Sequence, residues 1–145
     1  MEQNKVLVQQ WLDLWNQHAL TQLATLVAPT YRHHGSAGNQ LDFAGFQEGF
    51  AAILRAYPDM HYTITHMIAE GELVAVYLTA TGTQQGPFFG IQPSGRRSTF
   101  AGVYHCRIQD GRIVEDWDVF DLLTALRRLG AKIEAGTEEQ PSSLV

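Results

Sequence analysis

The sequence predicts an α+β domain in which N-terminal helices pack on a strongly curved, mainly antiparallel sheet. Three observations carry that expectation. Apolar side chains recur at helical spacing over the first third of the chain, the period changes to two after Pro58, and a short Leu-rich helical pattern closes the regular part. Helices that precede the strands as a block, instead of alternating with them, point to segregated α and β layers. A curved sheet wrapped around a long helix makes a cone with an apolar interior, the kind of hollow in which small ligands bind.

Residues 4–18, NKVLVQQWLDLWNQH, place Leu7, Trp11, Leu14, Trp15 and His18 on one helical stripe. A short second helix is expected at 21–28, with Thr21 as N-cap, Leu23, Leu26 and Val27 turned inward, and Pro29 ending it. YRHHGSAGNQ then reads as a polar, Gly-containing loop. Asp42 is the expected N-cap of a third helix carrying Phe43, Phe46, Phe50, Ile53 and Leu54. That helix must close before Pro58, because the residue preceding a proline is pushed out of the helical region. HYTITHMIA and ELVAVYLTATGTQQ are rich in β-branched and aromatic residues and meet at Glu70-Gly71, so they read as paired strands. GPFFGIQPSGRR is a loop. STFAGVYHCRIQ and RIVEDWDVF flank Asp110-Gly111, the strongest short hairpin signal in the chain. LLTALRR is a closing helix with Gly130 behind it as C-cap. The reading is of one domain over residues 1–130 and a polar, mobile tail over 131–145.

Composition narrows the functional classes. With 145 residues, 45% of them apolar and 17% charged, the chain is long enough to bury a core. Ten basic against 15 acidic residues give a net charge of −5, and the basic residues are too scattered to track phosphates, so a nucleic-acid partner is not expected. The single cysteine, Cys106, excludes an internal disulfide and a Cys-rich zinc site, and its apolar strand setting reads as a buried, inert thiol. The N-terminus lacks the unbroken apolar stretch of a signal peptide, and no apolar run is long enough to span a membrane. A cytoplasmic protein without a membrane partner is expected. Among the six histidines no pair has the i, i+4 spacing of a helical zinc site, so no metal is expected either.

The chemistry-bearing stretch is EDWDVFD, residues 115–121, with four carboxylates beside a Trp and a Phe. Strand alternation puts Glu115, Trp117, Val119 and Asp121 on one face and Asp116, Asp118 and Phe120 on the other. The pattern alone does not say which face meets the pocket. The Trp117–Asp121 face is taken as the inner one, since an aromatic ring beside a carboxyl is a suitable desolvating wall. An exposed Asp ionises near 3.9 and is a feeble base toward carbon acids, whereas loss of water strengthens it. The bland reading of Asp121 is the N-cap of the last helix, with Thr124 three residues on. Glu115, Asp116 and Asp118 taken singly read as solvated or paired carboxylates.

The stretch FFGIQPSGRRSTFAGVYHCRI followed by DGRIVEDWDVFDLLTALRRLG resembles the SnoaL-like proteins, also called ester or polyketide cyclases. These share the cone-shaped α+β fold of nuclear transport factor 2, ketosteroid isomerase and scytalone dehydratase. The resemblance spans about residues 4–130, and its most specific pieces are the GIQPSGRR loop, Trp117 and the ending FDLLTALRRLG. It implies a cofactor-independent acid–base enzyme that closes a polyketide ring by intramolecular aldol condensation, or a relative that isomerises or dehydrates a small hydrophobic carbonyl compound. The proton-abstracting carboxylate falls by this resemblance on Asp121, with Asp118 as the fallback, and the histidine of YRHH is aligned as His34. His105, mid-strand, would orient the acid or polarise a substrate oxygen if it points inward; the alternative is a satisfied core histidine. Trp15, Phe50, Trp117, Tyr104 and Phe89 are the candidate substrate contacts, with Phe88-Phe89 as lid or subunit contact. His33, His61 and His66 are left as background.

Two other classes stay open: a non-catalytic small-molecule binder using the same pocket, and an interaction module with a filled cone and a broad exposed apolar face. A homodimer or higher homo-oligomer is expected in each case, because a partner subunit usually covers the open sheet of this fold.

Overall fold

The computed structural model describes residues 2–36 and 38–136. Helix α1 (Glu2–Asn16) buries Leu7, Val8, Trp11, Leu12 and Trp15 against the sheet, as the helical stripe requires. A 3-10 turn at Gln22–Leu26 replaces the expected second helix, and from Val27 the chain is already extended as β1 (Val27–His34). YRHH is therefore strand and not loop. Pro29 sits in that strand, where it lacks a hydrogen to donate to a neighbour. A two-residue strand β2 (Gln40–Leu41) leads into α2 (Phe43–Ala56), capped by Asp42, whose side chain accepts from the Gly45 N–H.

Strands β3 (His61–Glu70), β4 (Leu73–Thr83), β5 (Arg97–Gln109) and β6 (Arg112–Phe120) form a hairpin-linked meander, and α3 (Leu122–Arg128) follows. The sheet order is β2-β1-β6-β5-β4-β3, and every neighbouring pair is antiparallel except β1 with β6. Asp110 and Gly111 both have positive φ, 51° and 72°, as the tight β5–β6 turn demands. The expected α+β cone stands, with the sheet mixed through the one parallel pairing.

Bulges bend this sheet into its cone. The pairing of β6 with β5 skips Val114, so Ile113 before it and Asp116 after it both face inward. In β3 the register shifts between Ile64 and His66. The interior is dominated by Trp11, Trp15, Tyr31, Phe46, Phe50, Tyr62 and Tyr104, with ring centroids 5.1–6.4 Å apart in tilted, stacked and edge-on pairs. Cys106 is fully buried, and that burial pushes its thiol up to about 12, so it is inert as expected. No helix among the described residues is long and apolar enough to cross a membrane. The tail read as mobile lies, from residue 137 onward, outside the described residues.

Candidate active site

The cone is not filled. A cavity of about 250 Å³ opens between α1, α2, the inner face of the sheet and the 84–96 loop. Its walls are largely aromatic: Trp15 from α1, Phe46 and Phe50 from α2, Tyr62 from β3, Phe88 and Phe89 from the loop, and Phe120 from β6. Gln84 holds that loop. It is fully buried; its Nε2 donates to the carbonyls of Gly86 (3.1 Å) and Ile91 (2.9 Å), while its Oε1 accepts from Ser94 N (3.1 Å) and Oγ (2.6 Å). A Gly- and Pro-rich segment thereby gains a defined shape and presents its two phenylalanines to the cavity.

Besides the Tyr62 phenol, one carboxyl and one imidazole line this aromatic hollow, those of Asp118 and His33. Register explains their meeting: His33 on β1 is directly opposite Asp116 on β6, and Asp118 follows two residues later on the same face. His33 is 7% exposed; its Nδ1 lies 2.7 Å from Asp116 Oδ1 and its Nε2 lies 3.6 Å from Asp118 Oδ2. A carboxylate only accepts, so Nδ1 carries the hydrogen and Nε2 is turned to Asp118. Asp116, 0% exposed, is the hub of this arrangement. The Tyr31 hydroxyl donates to it at 2.9–3.0 Å, and the Tyr104 hydroxyl at 2.8 Å. Burial, then the charge of Asp116, drives the Tyr31 and Tyr104 phenols far above their ordinary range, so both remain donors.

Asp118 is a different kind of acid. Its side chain is 23% exposed and accepts no hydrogen bond from a backbone N–H among the described residues. Desolvation raises its carboxyl to about 6; the neighbouring Asp116 adds to the rise and His33 opposes it. Burial alone would lower His33, but the hydrogen bond to Asp116 and the charges of Asp116 and Asp118 outweigh it and raise the imidazole. The result is a base of near-neutral strength in an aromatic pocket, beside an imidazole anchored from behind.

The other expected site residues divide by face. Trp15, Phe50 and Phe89 line the cavity, and so does Asp118. Asp121 does not, which corrects the expectation that it turns inward. It is the exposed N-cap of α3, accepting from Thr124 N at 3.0 Å and Thr124 Oγ1 at 2.6 Å; these bonds hold its carboxyl below the ordinary range. The inner-face assignment of Trp117 is corrected with it. Trp117 lies on the outer face, stacked between the imidazoles of His34 (4.9 Å, 11°) and His105 (4.6 Å, 7°). His34 Nε2 donates to Glu115 Oε2 (2.8 Å), and Arg107 donates to the other oxygen of Glu115 at 2.7 and 2.9 Å, so neither His34 nor His105 reaches the cavity. Tyr104 is inside, but it points its hydroxyl to Asp116 and does not line the cavity.

His33, Asp116 and Tyr31 are the members the sequence reading missed. Had YRHH been read as a strand, alternation would have paired Tyr31 with His33 on one face and Arg32 with His34 on the other, as the burial pattern does. Among the described residues no group of three or more His, Cys, Asp or Glu side chains is arranged to hold a metal ion.

Three helices on a curved six-stranded sheet, enclosing an aromatic cavity with a desolvated carboxyl and an imidazole, define a cone-shaped α+β pocket domain. The matching family model is that of the SnoaL-like polyketide cyclases, over residues 5–129. The chain belongs to that family. Among solved structures it is similar to AclR, a proposed hydroxylase from Streptomyces galilaeus, with 32% identity, a TM-score of 0.83, and coverage of 90% of this chain and 97% of that one. It is also similar to IdmH, a proposed polyketide cyclase from Streptomyces antibioticus (29%, TM-score 0.80, 88% and 99%), and to TsrD from Streptomyces laurentii (28%, TM-score 0.80, 91% and 98%). A search of curated proteins found no match.

Proposed function

We propose that this protein is a cofactor-independent acid–base enzyme of the cyclase type, acting on a small, neutral, largely hydrophobic carbonyl compound such as a polyketide ester. The observation that carries the reading is the desolvated carboxyl of Asp118 lining a largely aromatic cavity. Asp118 takes a proton from the carbon next to a carbonyl; the C–H electron pair enters an enolate delocalised over the substrate. The enolate carbon attacks a second carbonyl of the same molecule, a C–C bond forms, and the proton held by Asp118 returns to the new alkoxide. His33, fixed through Asp116, sets the charge beside Asp118 and orients it. The absence of Lys and Arg from the described lining favours a neutral substrate over a free acid. The names of AclR and IdmH suggest that this fold hosts more than one chemistry, and a base aimed at a hollow this apolar favours proton abstraction from carbon.

The test is exchange of the α-protons of an aromatic β-keto ester in deuterium oxide, followed by nuclear magnetic resonance. Exchange is expected to accelerate as pH rises through about 6, since only the ionised Asp118 is a base. Binding of the ester without exchange at any pH would establish the carrier reading in place of the enzyme.

A homodimer joined through the outer sheet face is part of the proposal. Val119 and Ile68 are 60% and 68% exposed there, and Tyr77 and Val103 are exposed beside them. Val119→Lys is expected to convert a dimer into a monomer in sedimentation equilibrium; an unchanged mass would move the contact elsewhere. A cytoplasmic setting accompanies this reading, supported by the lone, buried Cys106.

A further inference from the structure

We propose that Tyr62 is a further catalytic residue, its phenol donating a hydrogen bond to the substrate carbonyl oxygen that gains charge as Asp118 removes the α-proton. The inference rests on the reading of Asp118 as the base. Tyr62 lines the same cavity as Asp118 and is 7% exposed. The other two tyrosines of the site both spend their hydroxyls on Asp116, whereas no group among the described residues hydrogen-bonds the Tyr62 hydroxyl. An unpaired hydroxyl in so apolar a place is costly unless a ligand pairs with it. The indole Nε1 of Trp15 is also unpaired, but it is sealed inside the protein; the Tyr62 oxygen is not among the sealed unpaired atoms, and its residue lines the cavity.

Its position is fixed from two sides. The Asn16 side chain, at the end of α1, pairs with both backbone groups of Tyr62: Oδ1 accepts from its N–H at 2.8 Å and Nδ2 donates to its carbonyl at 2.9 Å. Trp15 abuts the ring edge-on at 5.1 Å, with Phe50 and Phe120 at 6.2 Å. A donor held this way needs no reorganisation when charge develops, which is what makes such a group effective. Burial, then the charge of Asp118, keeps the phenol protonated, so it shares its hydrogen without giving it up. In the step itself the α C–H bond breaks, its proton goes to Asp118, its electron pair forms the enolate C=C, and the carbonyl π pair moves to the oxygen that Tyr62 faces; the phenolic O–H bond stays intact.

Tyr62→Phe removes one oxygen and leaves the ring. Exchange of the β-keto ester is expected to fall about 10²–10³-fold in kcat, with KM nearly unchanged and the rise near pH 6 retained. A second readout is independent of turnover: the infrared carbonyl band of bound 2-acetylnaphthalene, expected at lower frequency in the wild type than in Tyr62→Phe. An unchanged kcat or an identical band in the two proteins overturns the role of Tyr62, as does failure of the ketone to bind. A shifted band in a wild type that exchanges no protons upholds the Tyr62 contact and sinks the Asp118 base, so the two failures are separable.

Discussion

Asp118→Asn is expected to lower kcat for proton exchange by about 10²–10⁴-fold, because it removes the positioned base while keeping the size of the side chain. KM should change little, since the amide fills the same space among the same aromatic walls. The same variant is expected to be more stable than the wild type at neutral pH. Burial raises the carboxyl from 3.8 to about 6, which at pH 8 costs up to roughly 3 kcal/mol of folding free energy. The sign follows from linkage. A carboxyl raised in the folded state makes its favourable contribution below 3.8 and loses it as pH climbs through about 6. The stability gap between variant and wild type should therefore open between pH 4 and 7 and stay open above. Thermal melts across that range measure it. Asp121→Asn is the control: with its side chain outside the cavity, on Thr124, it should keep wild-type kcat. A base role for Asp118 does not survive equal rates in Asp118→Asn and the wild type.

Asp116→Ala is expected to cost about 3–5 kcal/mol of stability, measured by urea titration. The substitution leaves two buried hydroxyls, Tyr31 and Tyr104, and the Nδ1–H of His33 without their acceptor at a fully buried position. The loss should depend on pH in one direction. His33, raised in the folded state, contributes stability that is fully present below its ordinary 6.5 and fades as pH rises through its raised value. The tyrosine share persists at those pH values, because both phenols stay protonated. A flat pH dependence would remove His33 from the hub. Activity should fall as well, as the imidazole that faces Asp118 loses its anchor.

Much of the scaffold was legible. The helical spacing of Leu7, Trp11 and Trp15, the Asp42 cap, the Asp110-Gly111 turn and the closing LLTALRR helix are local signals, each produced by neighbours within a few residues. Strand β1 was not legible for the opposite reason. It is an eight-residue segment containing a proline, and its partner β6 lies about 80 residues away, so nothing beside it in the chain marks it as a strand. Without β1, nothing local separates His33 from its neighbour His34, the histidine that the family resemblance aligns.

Residue order alone makes carboxyls, aromatic rings and imidazoles alternate along EDWDVFD and YRHH, because side chains on a strand must alternate faces. Which set faces the cone depends on how distant strands pack together. The bulge at Val114 and the parallel docking of β1 turn Asp116, Asp118 and His33 inward, and they leave Trp117 between two imidazoles outside. An aromatic ring satisfies either face, whereas a buried carboxyl is tolerable only where Tyr31, Tyr104 and His33 converge upon it. Those three donors are brought together by long-range pairing, and no short window of the chain contains them.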